Sequence, residues 1–166
     1  MQKITPFLWF DHQAEEAANY YVSIFKNSTI TAISRYGDAG PGPKGSVMVV
    51  SFALDGQEFC ALNGGPVFTF TPAISFFVNC ETQAEVDNLW ERLSAGGRKD
   101  RCGWLTDKYG VSWQIIPQVL MKLIGDPDPA KSQRAVKAML QMDKIDIQRL
   151  QQAAEGLDPA AQPSTL

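Results

Sequence analysis

The side chains that could do chemistry in this chain are few. Cys60, Cys80 and Cys102 are its only thiols and His12 its only imidazole. No two cysteines stand at C-x-x-C spacing and their number is odd, which fits reduced thiols better than a disulfide framework or a structural zinc site. Cys102 is the strongest nucleophile candidate. A thiol ionises beside positive charge, and Arg98, Lys99 and Arg101 stand near it in the sequence, although no histidine does. Cys60 reads either as core filler or as a polar wall of a cavity. Glu58 and Asp107 sit by turns, where a solvated carboxylate or a turn hydrogen bond accounts for them. Asn63-Gly64-Gly65 reads as a tight turn rather than a phosphate cradle, since no lysine and helix follow it. A zinc, iron or manganese centre needs three or four converging imidazole, thiolate or carboxylate ligands, and His12 lies at a helix entrance. The residues therefore predict no metal and no cofactor.

The elements that must position these groups are written twice. Phe7–Phe10 reads as a strand, and a helix over 13–25 follows, with Ala14, Ala17, Ala18, Tyr21, Val22 and Phe25 at intervals of three and four and Asp11 placed to cap it. Strands are predicted over 28–36, 46–54 and 58–62, with a mobile Gly/Pro loop at 37–45 and an Asp55-Gly56 hairpin turn. The second copy runs from a strand over 75–78 through a helix over 83–93 that Gly96-Gly97 stops. Strands from 99–107 and 111–116 complete it, with Tyr109-Gly110 between them and Pro117 at the end. A repeat of this length predicts two βαβββ units, 1–66 and 67–117, with an α+β architecture of curled mixed sheets enclosing a cavity. Beyond Pro117 the pattern turns helical over 118–157: a segment at 119–124, a helix opened by Asp128-Pro129 toward Met142, and one capped by Asp146 and stopped by Gly156. Val136, Met139, Leu140, Ile147 and Leu150 need a surface to bury, and 158–166 reads as a flexible tail.

With 166 residues, 45% hydrophobic and 20% charged, the chain has the balance of one globular domain. The apolar run at 6–10 is far short of the roughly 20 residues a membrane helix needs, which predicts a cytoplasmic protein. A net charge of −3 with scattered Lys and Arg offers no stripe for a phosphate backbone, so nucleic acid is excluded as a partner.

The run from Arg101-Cys102-Gly103-Trp104 through Asp107-Lys108-Tyr109-Gly110 to Trp113-Gln114-Ile115-Ile116-Pro117 resembles the PhnB-like branch of the vicinal oxygen chelate superfamily. Ile4-Thr5-Pro6-Phe7-Leu8-Trp9-Phe10-Asp11, Ala61-Leu62-Asn63-Gly64-Gly65 and Met142-Asp143-Lys144-Ile145-Asp146 add to the resemblance, which extends over residues 1 to about 155. It implies a glyoxalase-like fold, a dimer, and a divalent metal held by His and Glu from the first and last strands of each unit. Thr5 and Ala73 stand where the first-strand ligands would be, and Cys60 and Gln114 where the last-strand ligands would be. Proteins of this branch carry the label demethylubiquinone methyltransferase-like, yet no glycine-rich strand-to-helix turn for a nucleotide-containing methyl donor follows any strand here.

Strand alternation places Thr5, Phe7 and Trp9 on one cavity wall, Ser75, Phe77 and Asn79 on another, and Ser112, Gln114 and Ile116 on a third. With Cys60, Cys102 and Trp104 they form an aromatic lining with a few neutral polar groups, suited to a small organic ligand. The same aromatics could equally fill a core. Two functions stay open: a metal-free binding protein for a small organic molecule, and an enzyme of the superfamily with an atypical or absent metal centre. The edge strands and the apolar helical segment predict a homodimer.

Overall fold

The duplication is present in the strand order. In the computed structural model, which describes residues 2–157, the first unit runs β1 (Phe7–Phe10), α1 (Ala14–Ile24), β2 (Thr29–Arg35), β3 (Val47–Leu54) and β4 (Gln57–Asn63). The second runs β5 (Phe76–Cys80), α2 (Gln83–Ser94), β6 (Arg98–Lys99), β7 (Trp104–Thr106) and β8 (Ser112–Pro117). The first sheet has the order β1-β4-β3-β2 and the second β5-β8-β7-β6. In each, the first strand lies parallel to the last and the remaining pairs are antiparallel, giving the expected α+β class. The chain divides into two compact units, Met1–Phe70 and Thr71–Leu166.

In the first unit, Ala14, Ala17, Ala18, Tyr21 and Ile24 form the buried stripe of α1. Tyr21 stacks on Phe52, which stacks on Phe59 with ring centroids 5.4 Å apart. Asp11 does not cap this helix, contrary to the sequence reading. Gln13 holds the N-cap position without a side-chain bond, and Asn63 Oδ1 accepts from the Ala14 N–H at 2.8 Å instead. Parallel pairing sets Asn63 opposite Phe10, so the cap comes from 49 residues away. Asp55 (φ 46°) and Gly56 (φ 84°) are both left-handed, as a two-residue hairpin requires. The 37–45 stretch holds no regular element, but it is built around Tyr36. The Tyr36 hydroxyl donates to Asn63 O at 2.6 Å, the Gly45 N–H donates to Tyr36 O, and Gly40 and Gly42 lie so close to the ring that a Cβ on either would collide with it.

In the second unit, Thr82 caps α2 by accepting from the Glu85 N–H, and Glu85 reaches back to the Glu81 N–H. The strands expected within 99–107 are short because Cys102 (φ 61°) and Gly103 (φ 81°) turn the chain between them. Pro117 ends β8 and opens α3 (Gln118–Ile124), followed by α4 (Pro129–Met139) and α5 (Ile147–Ala154). Asp128 and Asp146 cap α4 and α5 as read, each side chain accepting a backbone N–H. Leu120, Ala135, Met142, Ile145 and Leu150 pack with Ile116 into one core, which roots the helical extension on β8. Leu140, expected to be buried, is exposed, because α4 stops at Met139 and the chain turns away. The tail predicted for 158–166 lies outside the described residues. Among the described residues no helix is long and apolar enough to cross a membrane.

The turn after α4 is held by main-chain groups. Cys102 N–H donates to Met142 O at 2.8 Å and Gly103 N–H to Asp143 O at 2.7 Å. Gln83 on α2 fastens the other side, donating to Ile145 O and accepting from the Ile147 N–H. Beside it Lys144 Nζ meets Asp87 Oδ1 at 2.8 Å. The hydrogen bonds from Lys144 and Gln83 hold the Asp87 carboxyl below its ordinary 3.8, and the bond to Asp87 lifts Lys144 above its ordinary 10.5. The Asp87 contribution is therefore present above the ordinary carboxylate range and lost as pH falls below it. The Lys144 contribution is present up to about its ordinary value and lost as pH rises past it. Both groups are largely solvated, so the pair is worth less than about 1 kcal/mol. The difference in melting temperature between wild type and Asp87→Asn should stay flat from about pH 5 to 9 and shrink as pH falls below the ordinary carboxylate range.

Candidate functional site

The pleat sorts the strands of each sheet into two faces. In the second unit Phe76, Val78 and Cys80 pair with Trp113, Ile115 and Pro117. The alternate residues bring Phe77 opposite Gln114, Trp104 opposite Gln114, and Thr106 opposite Ser112. Gln114 Nε2 donates to Ser75 Oγ at 2.9 Å. Ser75, Phe77, Trp104 and Gln114 thus share one face, with Phe77 44% exposed and Gln114 half-buried. Ile116, read as part of the same wall, is buried in the core of the helical extension. No ionisable side chain stands among Ser75, Phe77, Trp104, Thr106, Ser112 and Gln114. Arg98, opposite Thr106 on edge strand β6, is bonded to Asp100 at 2.9 Å, so the two charges at that margin answer each other.

In the first unit Phe7 lies opposite Cys60 and Trp9 opposite Leu62, with Ser51 across from Cys60 on β3. The Cys60 thiol and Ser51 hydroxyl form a hydrogen-bonded pair at 3.6 Å. Phe7 is 59% exposed and Thr5, just before β1, is half-buried. Trp9 is engaged by the turn after β4: its Nε1–H donates to Gly65 O at 2.9 Å, Gly64 lies directly against its ring, and Phe68 meets it edge-on.

Cys102 is placed elsewhere. It precedes β7 in a left-handed turn, and its thiol donates to Met139 O at the end of α4, 3.7 Å away. Burial, and then the nearby Glu85, push the Cys80 thiol up to about 12, which leaves it un-ionised at neutral pH.

The donor set does not fit the metal that the resemblance implies. With Cys60 and Gln114 as matching last-strand positions, the registers match Phe7 to Phe77 and hence Thr5 to Ser75, so Ser75 replaces Ala73 as the counterpart of Thr5. Two hydroxyls, a thiol and an amide are a poor set for a hard or borderline divalent cation. Among the described residues no group of three His, Cys, Asp or Glu side chains is placed to hold a metal ion.

A cleft of about 470 Å³ in the first unit went unread in the sequence. Asp11, His12, Tyr36, Ser46, Asn63 and Gly64 are among its lining, and His12 Nδ1 stands 3.3 Å from Asp11 Oδ2. The signal that could have found it is Tyr36 followed by Gly40 and Gly42, a spacing that wraps a loop around a ring. Asp11 and His12 are solvated at its mouth, and Asn63 already accepts from the Ala14 N–H, donates to Val47 O and takes the Tyr36 hydroxyl on its main-chain oxygen.

Tandem βαβββ units with each first strand parallel to its last define a vicinal oxygen chelate fold. Residues 2–116 match the family described as 3-demethylubiquinone-9 3-methyltransferase. The chain is 46% identical to a putative 3-demethylubiquinone-9 3-methyltransferase, PhnB protein, from Bacillus cereus, over 68% of this chain and 97% of that one, with a TM-score of 0.63. It is 24% identical to the protein PA1353 from Pseudomonas aeruginosa, over 68% of this chain and 95% of that one, with a TM-score of 0.57. No curated protein matches the chain. The chain belongs to this PhnB-like family. The family match ends at Ile116, whereas the sequence resemblance extends to about residue 155 and takes in the helical extension.

Proposed function

We propose that this protein binds a small, uncharged organic molecule, without a metal, on the aromatic sheet face that carries Phe77, Trp104 and Gln114. The observation that carries the reading is the composition of that face: two aromatic rings flank an oriented amide, hydroxyls surround it, and the charged groups at its margin are paired to each other. Such a surface can stack a planar molecule and orient it by hydrogen bonds. The methyl transfer in the family's description calls for a base near the accepting atom, and none of these side chains is one. Three free thiols suit a reducing, cytoplasmic setting.

Quinoline is a suitable neutral aromatic probe. Its titration should quench tryptophan fluorescence saturably, with or without chelator, and Phe77→Ala should weaken it by about tenfold. Elemental analysis showing stoichiometric, tightly held metal, or quenching that appears only on adding Mn, Ni or Zn, would overturn the reading in favour of a metal-dependent enzyme.

A homodimer belongs to the same proposal, because the exposed Phe7, outside the proposed ligand face, is a large apolar ring that a second copy would cover. Light scattering should return a mass near twice 18.3 kDa. A mass near the single chain's would end it.

A further inference from the structure

We infer that the molecule recognised on this face carries a lactam-type edge, an N–H donor beside a carbonyl acceptor on a planar frame, and that Gln114 reads it. The inference rests on the proposal that the face holds a neutral ligand, and adds which chemistry it selects.

Gln114 sits mid-strand between Phe77 and Trp104 in register. One hydrogen of its Nε2 is engaged by Ser75 Oγ, which anchors the plane of the amide. That is the side chain's one hydrogen bond among the described residues, so Oε1 and the second Nε2 hydrogen are left for a partner. A primary amide in that state asks for a donor and an acceptor together. A ligand that covered it without supplying them would strand polar groups, at about 1–3 kcal/mol each. Sites of this kind therefore reject the analogue that lacks the matching donor more strongly than a purely apolar wall could. Ser112, two residues along the same face and 2% exposed, adds a buried hydroxyl with no hydrogen-bond partner among the described residues.

Charge narrows the class further. A carboxylate ligand would lie beside an amide and hydroxyls while the margin's guanidinium, Arg98, is held by Asp100, and an ammonium would find no carboxylate of its own. The flanking rings favour a planar molecule. The first sheet cannot do the same, because the equivalent position is Cys60, whose thiol is taken by Ser51 and presents no paired donor and acceptor. The two copies of the unit have diverged at this position, and only the second reads an amide edge.

The test compares 2-quinolinone with 2-methoxyquinoline, whose ring nitrogen carries no hydrogen, by isothermal titration of the full chain. The wild type should bind 2-quinolinone about tenfold tighter, and Gln114→Leu should remove that preference, since leucine neither pairs with the lactam nor is stranded beneath the methoxy probe. Ser75→Ala, which frees the amide to rotate, should reduce the preference without abolishing it, and covers the case of a misfolded Gln114→Leu. Equal affinity of the wild type for the two probes, or a preference that survives Gln114→Leu, overturns the lactam assignment and leaves the binding face standing. Failure of the wild type to bind either probe overturns both.

Discussion

Replacing Asp107 with alanine should destabilise the protein by about 3 kcal/mol or more, among the largest effects of any single substitution in the second unit. Asp107 is 3% exposed, and its carboxylate accepts from the Tyr109 and Val111 N–H groups through Oδ1 and from Trp113 Nε1–H through Oδ2, at 2.9, 3.0 and 2.9 Å. The first two bonds form the turn between β7 and β8, and the third fixes the buried ring that packs on Phe76. Alanine would strand all three donors. Asp107→Asn separates these contributions, because its carbonyl can keep the two backbone bonds while its NH₂ faces the indole N–H, donor against donor. That variant should lose about 1–2 kcal/mol, and less in a Trp113→Phe background where the opposing donor is gone. Urea midpoints for the four proteins of this cycle measure the coupling directly. Additive losses would show that the Trp113 bond carries no weight.

Gly103→Ala should be comparably damaging, by about 3 kcal/mol, for two reasons that add. The position has φ 81°, where a residue with a Cβ is strained by roughly 1–2 kcal/mol. The added carbon would also meet Ile116 Cδ1 at 2.7 Å and Ile115 O at 2.8 Å, and a backbone oxygen on a central strand has nowhere to go. Because the Gly103 N–H also holds Asp143 O, any relief of the clash pulls on the helical extension. Thermal melts should show the loss, and limited proteolysis should show earlier cutting between α4 and α5. The neighbouring position supplies the contrast: Cys102 already sits at φ 61°, so Cys102→Gly removes strain and should stay within about 1 kcal/mol of wild type. Equal losses at the two positions would mean that the turn's hydrogen bonds, not its shape, dominate.

What the sequence shows of this protein follows the range of each signal. Alternation and turn chemistry are local, so the βαβββ pair, the Asp55-Gly56 hairpin and the Asp128 and Asp146 caps are legible from neighbouring residues. The α1 cap is not, because Asn63 reaches Ala14 only after β4 has paired with β1, and Asp11 is the better local candidate. The same holds for the Arg101-Cys102-Gly103 run. By composition it is a thiol beside cations, and in space it is a turn whose main-chain donors, thiol and guanidinium all address carbonyls of residues 139–143. Alternation alone sets Phe77 and Gln114 on one face. Their pairing and the Ser75 bond depend on a register that no local pattern fixes.

The join between Cys102-Gly103 and Met142-Asp143 bears on how such an extension could be acquired. Both bonds run from amide to carbonyl, so neither demands a particular side chain on the appended segment. A shorter chain ending where the family match ends would offer the same two amides to water, already aimed by the left-handed turn. Any downstream segment able to lay two carbonyls there could dock first and refine its apolar contacts afterwards.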